Sequence, residues 1–278
     1  MRTANRFSLE NYTFDWKAIV ALFFGGFLGA LIVAALNVFS MMVFGKNFEY
    51  EKWYFLVMNA FMWCGAIAGF DFFVVRPTTG RKLSFNMSTK NFSTYLFIFP
   101  LMLGMMLIAE FVTGLVPISG PFFGPLYEFF TQLMEQLSQS NLVLVISAVI
   151  MAPIFEEIVF RGIIQKGLIN RGTKPINAIW ISAIVFGLVH ANPWQFVGAV
   201  LLGYVMGLVY YKTKSLLMPI LLHAFNNGIS ALLLIFGDTE SIGEFFGISS
   251  YVILAIGIII FAISFYFFTK KYEILHQE

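Results

Sequence analysis

The stretch 153-PIFEEIVFRGII-164 sets two adjacent carboxylates and an arginine, Glu156, Glu157 and Arg161, inside an otherwise apolar run. The rest of the chain has the same character. Of its 278 residues 59% are hydrophobic, 18% aromatic and only 12% charged, and the mean hydropathy is +0.82. Soluble domains carry about a quarter charged residues, so the composition excludes that class. The three charges therefore stand at membrane depth, where an ionisable group is rare and needs a partner or a task.

Working outward, eight apolar segments read as helices: 18–44, 53–75, 94–116, 142–160, 176–191, 195–211, 216–236 and 246–268. Crossing a bilayer takes roughly 20 residues, with some latitude for tilt. The expected fold is all-α, a polytopic membrane helical bundle of about eight transmembrane helices. It forms a single membrane-embedded domain over 1–278, with the motif-bearing region at 142–236. The first segment lacks an early small-residue cleavage site, so it reads as an anchor. Its 25-GGFLG-29 spacing suits either a close helix contact or a small patch facing lipid. Between spans, Leu126, Phe129, Phe130, Leu133, Met134 and Leu137 recur with helical period. They predict an amphipathic interfacial helix near 126–139. One cysteine, Cys64, excludes an intramolecular disulfide and a cysteine-based metal site.

Cytoplasmic loops are rich in lysine and arginine, and eight spans with both termini inside satisfy that rule here. The inside stretches then hold Arg2, Arg6, Lys17, Arg76, Arg81, Lys82, Lys90, Lys166, Arg171, Lys174, Lys212, Lys214, Lys270 and Lys271. The outside loops hold only Lys46 and Lys52.

The ionisable groups at membrane depth are Asp71, Glu110, Glu156, Glu157, Arg161, His190 and His223. His276, in the charged tail, reads as solvated surface. Asp71 lies near Arg76 at a membrane edge and is expected to pair or snorkel; Glu110 has no assignment. Glu157 and Arg161 are four apart and share a helix face, which makes burial of either tolerable. Glu156 points about 100° away around the helix, so its partner must come from another helix. In 186-FGLVH-190, Phe186 and His190 share a face; in 223-HAFNN-227, His223 and Asn227 do.

Three separate spans thus direct polar groups inward. A carboxylate in apolar surroundings can serve as a general base, and a histidine beside it can hold or polarise a water. A second histidine and an amide can donate to the oxyanion formed when water attacks a carbonyl. The set adds up to amide hydrolysis without a protein nucleophile. The same Glu156, His190 and His223 could instead ligate a divalent metal such as zinc, although neither histidine stands in an HExxH arrangement. Two readings from other classes use the same residues: a proton-coupled transporter with a Glu/His relay, and a non-catalytic membrane scaffold or immunity protein. The absence of repeated halves argues against the first.

The motifs EExxxR (Glu156, Glu157, Arg161), FxxxH (Phe186, His190) and HxxxN (His223, Asn227) resemble those of the CPBP family. That family joins the type 2 CAAX prenyl proteases with the bacteriocin-processing and self-immunity proteins called Abi. The resemblance covers roughly 142–236. It implies an intramembrane endopeptidase, in which Glu156 with His190 activates water and His223 with Asn227 forms the oxyanion site. Glu157 and Arg161 would support the site. The implied partners are the lipid bilayer and a hydrophobic or lipidated peptide or protein substrate, with no nucleic acid. The family is commonly labelled metalloprotease, and the reading here leans toward no obligatory metal. For a bacterial owner the location would be the plasma membrane.

Overall fold

Short polar residues between the apolar runs start the helices. Asp15 accepts from the backbone amides of Lys17 and Ala18 at 2.9 and 3.2 Å, Asn192 from that of Gln195 at 2.8 Å, and Ser241 from that of Glu244 at 3.0 Å. Each satisfies a donor that the first turn leaves without a partner. The computed structural model describes residues 11–138 and 140–273; Arg2, Arg6 and His276 lie outside them. The helices are α1 (Trp16–Phe44), α2 (Trp53–Thr79), α3 (Phe92–Thr113), α4 (Gly120–Ser138) and α5 (Asn141–Asn170). They continue with α6 (Pro175–Leu188), α7 (Pro193–Thr213), α8 (Leu217–Gly237), the short α9 (Ile242–Phe246) and α10 (Ser250–Glu273). No strand occurs among the described residues.

Seven of these helices are long and apolar enough to cross a membrane. The segment read as a span over 176–191 is instead the 14-residue α6. It ends early because Ala191 turns left-handed, at φ 56°, and the Asn192–Pro193 pair starts α7 at once. Side chains such as Phe23 (77% exposed), Phe92 (75%) and Phe236 (75%) point away from the protein. In water that would be untenable, whereas a bilayer makes it the ordinary case. The all-α, polytopic character read from the sequence holds.

The chain divides into two compact units, residues Met1–Phe85 with Gly162–Lys174, and Asn86–Arg161 with Pro175–Glu278. In the first, α1 and α2 meet along the GGFLG stretch. A Cβ at Gly25 would stand 2.2 Å from the Gly65 carbonyl oxygen, and one at Gly29 would stand 2.0 Å from that of Phe61. Of the two meanings the sequence left open, the spacing serves close helix packing. Asp71 accepts from Arg76 Nε and Nη2 at 2.9 and 2.7 Å, and from the Leu83 amide at 2.7 Å.

In the second unit, α3 and α10 approach through Gly104 and Gly257, where added Cβ atoms would meet Phe261 and Leu107. Ile98, Leu101, Met102, Val205, Met206 and Leu222 form its fully buried core. The amphipathic helix starts six residues earlier than the sequence predicts, at Gly120. Phe123, Tyr127 and Phe130 pack around Trp194, with ring centroids 5.0–6.4 Å apart, while Phe122 and Phe129 are exposed. Of the stripe read from the sequence, Leu133 and Leu137 fall outside the described side chains. Glu110 also acquires a task, since its carboxylate accepts from the Ser241 hydroxyl at 2.6 Å and from the Gly243 and Ile242 amides at 2.9 and 3.2 Å. It caps α9.

The α1–α2 contact has no room for a side chain. Gly25→Val should destabilise the protein by about 1–3 kcal/mol, the usual range for overpacking. Gly124→Ala in α4, where nothing lies within 4 Å of the new Cβ, should be neutral or slightly stabilising. Thermal unfolding of the detergent-solubilised variants measures both, and equal midpoints would contradict the close contact.

Candidate active site

Helix α5 carries the acidic motif in an unusual backbone. Its stretches Val145–Met151 and Ile158–Gln165 are widened π-type turns, and Ala152–Glu157 between them is α-helical. Pro153 lacks the N–H that would bond Val149, which accounts for the widening before it. Glu156 and Glu157 stand at the end of the α-helical piece and Arg161 stands within the second widened turn.

Arg161 is fully buried. Its Nη1 donates to Glu157 Oε1 at 2.5 Å and its Nη2 to the Gly203 carbonyl of α7 at 3.1 Å. Its guanidinium lies 4.6 Å from the centroid of the Phe186 ring, a cation–π contact that is stronger in dry surroundings. Gly203 makes this possible, because a Cβ there would crowd both Arg161 Nη2 and Phe186 at 3.2 Å. The sequence offered no signal that singled this glycine out from the chain's 23.

Glu157 does more than pair with Arg161. The same Oε1 accepts from His223 Nδ1 at 2.9 Å, so a residue of α8 is tied to the motif of α5. Because a carboxylate only accepts, His223 carries its proton on Nδ1 and turns Nε2 toward Glu156. That nitrogen lies 3.8 Å from Glu156 Oε2, too far for a hydrogen bond. Among the described residues Glu156 therefore has no hydrogen-bond donor in range. Its side chain keeps 17% exposure, whereas that of Glu157 keeps none. The partner expected for Glu156 on another helix is His223, held one step short of contact.

His190 closes the end of α6. Its Nδ1 donates to the Phe186 carbonyl at 2.8 Å, which leaves Nε2 free to accept a proton or a water's hydrogen bond. Asn192 Nδ2 holds the turn by donating to the His190 carbonyl at 3.0 Å. The Phe186 ring meets both imidazoles edge-on, at 5.1 Å to His190 and 5.5 Å to His223. It is thus the shared wall between Arg161 and the two histidines.

Asn227 lies one turn beyond His223. Its Nδ2 donates to the Ala148 carbonyl of α5 at 2.7 Å, and its Oδ1 accepts from Asn226 Nδ2 at 2.9 Å. Asn226 was not singled out by the motif spacing. The structure thus brings Glu157, Arg161, Phe186 and His223 into direct contact, with Glu156 facing His223 and His190 joined through Phe186. Asn227 is fixed against α5 on the same face of α8 as His223.

The donor set tests the zinc alternative. Among the described residues no three His, Cys, Asp or Glu side chains are grouped to hold a metal ion. Glu156 and His223 offer one oxygen and one nitrogen to the same space, and no third ligand joins them.

Residues 138–229 match the family model of the type II CAAX prenyl endopeptidase Rce1-like proteins. The chain is 33% identical over 97 residues to YdiL of Bacillus subtilis (strain 168), provisionally named a membrane peptidase. That match covers 35% of this chain and 39% of YdiL. It is 34% identical over 85 residues to the membrane-embedded CAAX protease MroQ of Staphylococcus aureus (strain USA300), covering 28% of this chain and 34% of MroQ. The chain thus spans about a third to two fifths of the length of these relatives. No solved structure matches it significantly. The matched stretch contains every residue of the site from Glu156 to Asn227.

Proposed function

We propose that the protein is an intramembrane endopeptidase that hydrolyses a peptide bond near the membrane with a water activated by Glu156 and His190. One observation carries this reading. Of two adjacent carboxylates, Glu157 is buried and takes both Arg161 and His223, while Glu156 is partly exposed and without a hydrogen bond from the described residues. Two carboxylates in unlike environments divide the structural and chemical tasks between them.

In this scheme a water bound between Glu156 and His190 Nε2 loses a proton to Glu156 and attacks the scissile carbonyl carbon. The carbonyl oxygen becomes an oxyanion. His223, held through Nδ1 by Glu157, donates to it through Nε2 when both ring nitrogens carry hydrogen. Asn227 supplies an amide hydrogen from the Nδ2 that also binds Ala148, because that nitrogen carries two hydrogens. When the tetrahedral intermediate collapses, Glu156 returns its proton to the leaving amine.

The substrate is a hydrophobic or lipidated peptide reaching the site from the bilayer. The name of MroQ as a CAAX protease and the Rce1-like match support that class. With α6 counted as a short eighth crossing, the lysine and arginine distribution supports a cytoplasmic location for both termini. We also propose that no metal is obligatory, in keeping with the two-ligand geometry.

Cleavage of a panel of lipidated and hydrophobic peptides by purified, detergent-solubilised protein tests the scheme. Glu156→Gln should lower kcat by about 10²–10⁴-fold, the usual contribution of a positioned general base, with an unchanged unfolding temperature. Retained activity would sink the assignment. Glu157→Gln should act chiefly on stability, because it leaves the Arg161 charge buried with a weaker partner. Breaking such a pair costs about 3–5 kcal/mol, to be read from the thermal unfolding midpoint. Activity should also survive exhaustive chelation; loss on chelation with recovery on adding zinc would make the protein a metalloprotease.

A further inference from the structure

Asn227 has an amide whose two ends are not equivalent to the reaction, since only the nitrogen end can stabilise an oxyanion. A backbone carbonyl can only accept, so the Ala148 oxygen at 2.7 Å requires the Asn227 nitrogen on that side. The Oδ1 atom must then lie on the opposite side, and there it receives the Asn226 nitrogen at 2.9 Å. Both residues are half-buried, where an unmatched amide oxygen is costly.

We infer that Asn226 is a positioning residue for catalysis: by donating to Asn227 Oδ1 it holds the neighbouring amide with its nitrogen toward Ala148 and the site. The inference rests on the oxyanion role of Asn227 proposed above. An asparagine side chain at this position is suited to the task because it is short and carries a donor on its terminal atom. The ring of Phe225, the preceding residue, packs edge-on against Phe99 at 5.1 Å, which anchors this part of α8 to α3. The Asn226–Asn227 link and the Ala148 contact thus act on one amide from two sides. Losing either lets the amide rotate by half a turn and present oxygen to an oxyanion.

The test compares Asn226→Asp, Asn226→Ala and Asn227→Ala, using whichever peptide of the panel the wild type cleaves fastest. The carboxylate introduced by Asn226→Asp is nearly isosteric with the native amide but, when ionised, can only accept, so it faces Asn227 Oδ1 with no donor. Asn226→Asp should lose about ten- to a hundredfold in kcat at neutral pH with KM unchanged. That is less than the roughly hundred- to thousandfold expected on removing an oxyanion donor outright. Relative to wild type, its activity should recover as the pH falls from about 8 toward 5, because a protonated aspartic acid donates again. Asn226→Ala should be impaired without that recovery. In parallel, protein labelled with ¹⁵N-asparagine reports the Asn227 side-chain amide signals with no substrate present. These signals should move in Asn226→Asp at neutral pH and return on acidification.

Amide signals that do not respond to Asn226→Asp, or a loss of activity equal at every pH, would overturn the positioning role. An inert Asn227→Ala beside a responsive amide would instead overturn the oxyanion role of Asn227 and leave the hydrogen bond standing.

Discussion

The contact on which the rest depends is the ion pair between Arg161 and Glu157, both without solvent exposure. A guanidinium removed from water must be paired with an opposite charge, or the fold is strongly destabilised. Glu157 supplies the charge, the Gly203 carbonyl a second acceptor and the face of Phe186 a third, softer contact. These come from three helices, α5, α7 and α6. Solvating one cation therefore draws α5 and α7 to the helix that ends at His190, and Glu157 in turn ties in His223 of α8.

The same pair explains why two neighbouring glutamates do unlike things. Glu157 is committed to the interior, its Oε1 taking both Arg161 Nη1 and His223 Nδ1. That bond decides which imidazole nitrogen faces Glu156. Glu156, turned about 100° away by helix geometry, inherits a more open position. Had the order of the two environments been reversed, the carboxylate nearest the histidines would have been committed to the arginine. The widened turn over Ile158–Gln165 preserves the approach of Arg161 to Glu157 although it departs from ordinary helical spacing.

Much of this was legible in the sequence because charge in an apolar chain is conspicuous. EExxxR, FxxxH and HxxxN mark α5, α6 and α8, and the i, i+4 spacing announced the Glu157–Arg161 pair. Three features were not legible, each for a physical reason. Gly203 acts through its carbonyl and its missing Cβ, and neither leaves a mark that distinguishes it from other glycines. Asn226 acts on its neighbour, whereas periodicity arguments look three or four residues away. Glu110 caps α9 from 131 positions before Ser241, a contact that local pattern cannot reveal. The span read over 176–191 came out shorter because hydropathy registers apolar content and is blind to the left-handed turn at Ala191.

That early turn bears on how a site at membrane depth would obtain water for the hydrolysis proposed above. Fourteen helical residues rise about 21 Å, whereas the hydrocarbon core of a typical bilayer is about 30 Å thick. The helix is short by about 9 Å, and His190 stands just past its end, where α6 hands over to α7. Polar backbone and the Asn192 amide stand there in place of another helical turn. Lipid tails cannot satisfy such groups, so they favour contact with water over hydrocarbon. For the proposed hydrolysis, a helix that stops short would give water a way to the site that a full span would close.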